Sequence, residues 1–99
     1  MSDPAGYPLQ HRIEVEFVEA DVEMAFTLVD LAQAEAGAGD RALAGHVIRN
    51  AENVVGDIEA RLARLGASAR MPFVLLVEEL RREIEQAKQH TSGTDRMAI

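Results

Sequence analysis

The 99-residue chain contains no cysteine and no tryptophan, and it has only one tyrosine and three phenylalanines. The lack of cysteine excludes disulfides, thiolate metal sites and cysteine nucleophiles. Because aromatic residues are scarce, the core must consist of Leu, Val, Ile, Ala and Met, which favours packing of helices over sheets. No apolar run approaches the ~20 residues of a membrane span, and no basic-then-apolar signal pattern opens the chain. We therefore expect a cytoplasmic protein.

Basic residues are also few: ten Lys and Arg face seventeen Asp and Glu, for a formal net charge of -7. No basic stripe is present to neutralise phosphates, so we expect neither nucleic-acid binding nor attraction to acidic membranes. Nine of the ten basic residues are Arg and alanine is abundant, a composition typical of GC-rich bacterial genomes.

The length predicts one domain with one modest core, and a hydrophobic fraction of 47% is ordinary for a folded protein. We assign residues 9–90 to a single helical-bundle domain. Residues 1–8 and 91–99 are rich in Ser, Gly, Pro and Asp without apolar periodicity, and we expect them to be flexible.

Apolar residues spaced four and three apart give the strongest structural signal. In the second predicted helix they are Ala44, Ile48, Ala51, Val55, Ile58, Leu62 and Leu65. In the third they are Phe73, Val77, Leu80, Ile84 and Ala87. With glycine-containing breaks between them, helices at about 9–36, 40–65 and 70–89 predict an all-α antiparallel three-helix bundle.

The start of the first helix is ambiguous. Between Ile13 and Phe17 apolar residues alternate with glutamates, which is typical of a strand. No second strand candidate exists to pair with it, so we favour a helix. A start only near Asp21 remains an alternative, and residues 9–20 stay open between helix, strand and disorder.

The first helix carries two apolar strips. The first, here the Ile13 strip, comprises Ile13, Phe17, Met24, Leu28 and Leu31. The second, the Val18 strip, comprises Val18, Val22, Ala25 and Val29. An acidic row of Glu16, Glu19, Glu23 and Asp30 is predicted to face solvent. Such a helix must contact more than one neighbour. Either it is the middle helix of the bundle, or the Val18 strip is a partner-binding surface that homodimerises or docks a partner helix.

Six positions around the Gly39-Asp40 turn follow a large-large-small, small-large-small order: Leu28, Leu31, Ala32, Ala44, Ile48 and Ala51. This pattern, over about 30 of the 99 residues, resembles a single tetratricopeptide unit, although Glu35 replaces its usual aromatic and no second copy follows. The resemblance implies a helical-hairpin scaffold of the kind that binds peptides or helices.

A second pattern surrounds His46. Together with Ile48, Arg49 and the later Gly56, it is similar to the His-any-Leu-Lys-Gly motif of histidine phosphotransfer domains, with Asn50 in place of the motif glycine. The resemblance implies His46 as phosphoacceptor and Arg49 as the cation that steadies the phosphoryl charge.

No other catalytic or ligand-binding pattern is present. The histidines are scattered, no Ser-His-Asp or paired-carboxylate set can be assigned, and no glycine-rich phosphate loop occurs. We therefore expect no catalytic residues, no metal, no cofactor and no small-molecule substrate. The favoured function is a non-catalytic protein–protein interaction module, with a phosphotransfer-like signalling domain as the alternative.

Overall fold

The computed structural model describes residues 9–97, apart from the side chains of residues 10, 11 and 92–97. It contains three helices, α1 (Leu9–Gly37), α2 (Arg41–Leu62) and α3 (Ala67–Met97). Within residues 9–97 there is no strand, so residues 9–20 are helical. The predicted arm at residues 1–8 and the last two residues of the predicted tail lie outside the described residues.

The helices form an all-α antiparallel bundle, as predicted. Contacts from Glu14 to Arg61 and Arg64 join the start of α1 to the end of α2. Arg81 pairs with Glu59, and Lys88, further along α3, pairs with Glu52, earlier in α2. The helix α3 is therefore antiparallel to α2. Since α1 packs against both other helices, its interpretation as a helix with two neighbours is confirmed.

The turn between α1 and α2 follows from its glycine and aspartate. Gly39 has φ +95°, a left-handed conformation that residues with a side chain rarely adopt. Asp40 then caps α2, its carboxylate accepting a 3.0 Å hydrogen bond from the Leu43 backbone N–H.

Three helix boundaries differ from the predicted ones by three residues or more. The chain leaves α2 after Leu62 rather than at Leu65. The last helix, α3, begins at Ala67 and continues to Met97, well beyond the predicted end at residue 89. Residues 91–97 carry no apolar periodicity, so nothing in the sequence indicated the extension. Near the start of this extension, the Thr91 hydroxyl donates a 2.9 Å hydrogen bond to the Ala87 carbonyl.

The predicted faces of α2 and α3 are confirmed as core. All seven periodic residues from Ala44 to Leu65 and all five from Phe73 to Ala87 are buried. Ile58 and Leu80 are the bulkiest of the fully enclosed side chains. Together these faces form one hydrophobic cluster with a single strip of α1.

Of the two alternatives for the Val18 strip, packing inside the bundle is observed and a partner-binding surface is not. The Val18 strip is core, with between 0% and 6% of each side chain's surface exposed, and it is not a surface on which a partner could dock. The Ile13 strip faces outward, apart from the half-buried Leu28. Small Val and Ala side chains let α1 approach two helices closely, whereas Phe17 and Met24 would hold them apart.

Candidate docking surface

The Ile13 strip forms a row of exposed apolar side chains along the outside of α1. Ile13, Phe17, Met24 and Leu31 each expose between 42% and 51% of their surface. The last three are seven residues apart, so they lie in one line along α1. From Ile13 to Leu31 this line is roughly 27 Å long at 1.5 Å per residue. Single exposed apolar residues are ordinary, but an aligned row of them is typical of an interaction surface.

Salt bridges define the border of the Ile13 strip that faces α2. Arg61 donates a 3.0 Å hydrogen bond to Glu14 and lies 3.6 Å from an Asp21 carboxylate oxygen. Its guanidinium also stacks over the Phe17 ring, 4.7 Å from the centroid. Arg64 reaches the other Glu14 oxygen at 3.3 Å. Both acidic residues on this border, Glu14 and Asp21, are therefore paired with arginines.

The acidic row borders the opposite side of the strip. Glu16, Glu23 and Asp30 each precede a residue of the line Phe17, Met24 and Leu31 by one position. One residue turns a helix by about 100°, which places them beside the strip and away from α2. All four residues of the row are exposed, as predicted. Among residues 9–97, none of the four forms an ion pair.

Glu83 of α3 lies close to the acidic row. The pKa of the Glu83 carboxyl is raised above its ordinary value, first by burial and then by a hydrogen bond and charge repulsion from Glu79. Asp30 of the acidic row adds further repulsion, which Arg82 partly opposes. The acidic row therefore has a further carboxylate near it on α3.

A second group of exposed apolar residues occurs at the start of α3: Met71, Val74, Leu75 and Leu76. They belong to an unbroken apolar run from Met71 to Val77. Met71, Val74 and Leu75 are spaced three and four apart and share one face of α3, whereas Leu76 points to another side. From Met71 to Leu76 the group spans only about 7.5 Å of helix, so it is a shorter surface for a docked helix than the Ile13 strip.

The residues of the phosphotransfer resemblance lie on the outside of α2, apart from the buried Ile48. His46, Arg49 and Asn50 are exposed, and the Arg49 guanidinium lies back along the helix beside Gly45. Phosphotransfer stays a prediction, and incubation with acetyl phosphate tests it. Acid-labile phosphate should appear on the wild type and be absent from His46→Gln; equal labelling of the two would contradict it.

The described part of the chain contains neither a metal-binding cluster nor a membrane-spanning helix. No group of three or more His, Asp or Glu side chains is placed to hold a metal ion there. None of the three helices has an apolar stretch suited to crossing a membrane.

The hairpin positions that resemble a tetratricopeptide unit are only partly buried. Ala32, Ala44, Ile48 and Ala51 lie in the core, whereas Leu31 is exposed. Comparisons of the chain with protein-family models, with curated proteins and with solved structures found no match. Both resemblances stay predictions, and function must be argued from the chain's own surfaces.

Proposed function

We propose that this protein is a non-catalytic protein–protein interaction module that docks a partner helix along the Ile13 strip. The observation that carries the proposal is the straight row of half-exposed Phe17, Met24 and Leu31 side chains along about 21 Å of α1. An amphipathic helix laid along such a row buries apolar surface on both partners, which is the main source of affinity in helix-in-groove recognition.

The borders of the strip suit this role. Arg61 is held in place by Glu14 and Asp21 and covers one face of the Phe17 ring. This side of the docking surface is therefore ordered before a partner arrives, which lowers the entropy lost on binding. Because this chain carries a net charge of -7, we expect its partner to be a protein rather than a nucleic acid or an acidic membrane. We expect the protein to act in the cytoplasm.

The test is capture of the partner from a native lysate with three baits: wild type, Met24→Glu and Leu75→Glu. Both substitutions replace an exposed apolar side chain by a carboxylate, one on the strip and one on the α3 apolar run. We expect the wild type and Leu75→Glu to retain one stoichiometric partner and Met24→Glu to lose it. Circular dichroism of each bait controls for folding.

Two results would contradict the proposal. A partner kept by Met24→Glu and lost by Leu75→Glu would move the docking surface to α3. A wild type that captures nothing, and that light scattering finds monomeric, would leave the strip without an occupant. If the wild type forms a dimer and Met24→Glu is a monomer, the Ile13 strip is still the docking surface, but its partner is a second copy of the chain.

A further inference from the structure

The acidic row indicates which kind of helix the Ile13 strip binds. Resting on the proposed function, we propose that the docked segment is an amphipathic helix with Lys or Arg along one border of its apolar face. Its apolar residues cover Phe17, Met24 and Leu31, and its basic residues reach the acidic row.

Charge complementarity carries this inference. Glu16, Glu23 and Asp30 repeat every seven residues in step with Phe17, Met24 and Leu31, so the acidic row follows the strip over this part of its length. The opposite border is already balanced, because Arg61 and Arg64 engage its carboxylates. The surface is thus apolar in the middle and negative on one side only, and a helix with one basic border matches it in a single orientation.

A second copy of this chain does not match the same surface. In an antiparallel self-pair related by a two-fold axis, the two acidic rows lie on the same side of the interface and face each other. In a parallel self-pair, each row faces the partner's other border, where Arg61 and Arg64 are already paired with carboxylates. Both arrangements bring like charges together or leave them unpaired, which disfavours association.

The experiment uses two synthetic, fluorescein-labelled helical peptides of about 21 residues, long enough to cover the strip at 1.5 Å per residue. Their Leu-based apolar faces are identical; one carries Lys and the other Glu at the positions flanking that face. Fluorescence anisotropy measures the affinity of each peptide for the full chain at low and physiological salt.

Four proteins are compared. In the row variant, Glu16→Gln, Glu19→Gln, Glu23→Gln and Asp30→Asn neutralise the acidic row. The control variant removes the same number of charges elsewhere, through Asp57→Asn, Glu59→Gln, Glu78→Gln and Glu85→Gln. Wild type and Met24→Gln complete the set. All the substituted residues are exposed, so each protein is expected to fold.

We expect the Lys peptide to bind the wild type and the control variant alike, and to bind the row variant about tenfold more weakly, since each exposed charge pair contributes modestly. Added salt should reduce the affinity for the wild type. The Glu peptide should bind at least about tenfold more weakly than the Lys peptide, because it places acidic residues beside the row.

The outcomes separate the two proposals. Equal binding of the Lys and Glu peptides, or equal binding of the Lys peptide to the row and control variants, overturns the inference about charge. If Met24→Gln still weakens both peptides, the docking surface itself survives. If Met24→Gln binds the Lys peptide as the wild type does, the apolar strip plays no part and the proposed function fails.

Discussion

Val22→Glu is expected to unfold the protein, whereas Met24→Glu, two residues along the same helix, leaves it folded. The Val22 side chain is 6% exposed within the core formed by all three helices. No cation lies in this apolar cluster to pair with a carboxylate there. Burying an unpaired charge costs about 4 kcal/mol or more, a large part of the roughly 5–15 kcal/mol that stabilises a typical domain.

Urea denaturation followed by circular dichroism at 222 nm measures both variants. The introduced carboxyl of Val22→Glu has a higher pKa in the folded state than in the unfolded state, since burial disfavours its charged form. Its folded state therefore binds the proton more tightly, and its stability should recover as the pH falls below the folded pKa. If both variants were as stable to urea as each other, or if only Met24→Glu were unfolded, the result would contradict the burial of the Val18 strip.

Leu80→Ala is expected to lower the free energy of unfolding by about 2–5 kcal/mol, the range for truncating a buried leucine. Leu80 is 0% exposed and lies where α3 meets the rest of the core. Removing its side chain forfeits buried apolar surface and leaves a cavity that the backbone fills only in part.

Leu75→Ala is the matched control for this change. Leu75 lies five residues earlier on the same helix, is 74% exposed and should change the stability by less than about 0.5 kcal/mol. Urea midpoints of the two variants, with m-values compared to the wild type, make the measurement. If Leu80→Ala and Leu75→Ala lowered the free energy of unfolding by similar amounts, α3 would have to pack through a different face.

The sequence predicted α2 and α3 well because each has one apolar face and one strongly polar face. From Ala44 to Leu65 the four-and-three spacing allows only one side to be buried, and all seven residues are buried. The same contrast identified the face from Phe73 to Ala87.

The strips of α1 offered no such contrast, since both are apolar along most of their length. Which strip faces the core depends on side-chain size at the helix contacts and on partners from α2, and neither is visible in local sequence. Glu14 and Asp21 lie between the two strips, and they pair with Arg61 of α2, a residue distant in the sequence. Because the two strips could not be told apart, the sequence did not identify the Ile13 strip as the exposed one, although it predicted the exposure of the acidic row.

The reactivity of thiols placed on the two strips tests most directly that the Val18 strip is buried and the Ile13 strip exposed. The chain has no cysteine, so Val22→Cys and Met24→Cys each carry a single thiol whose reaction with a disulfide reagent is read by absorbance. We expect Met24→Cys to react nearly as fast as an unstructured thiol. Val22→Cys should react at least about a hundredfold more slowly, because its thiol reacts only when the core opens. A fast Val22→Cys beside a slow Met24→Cys would show instead that the Val18 strip faces outward and the Ile13 strip packs in the core.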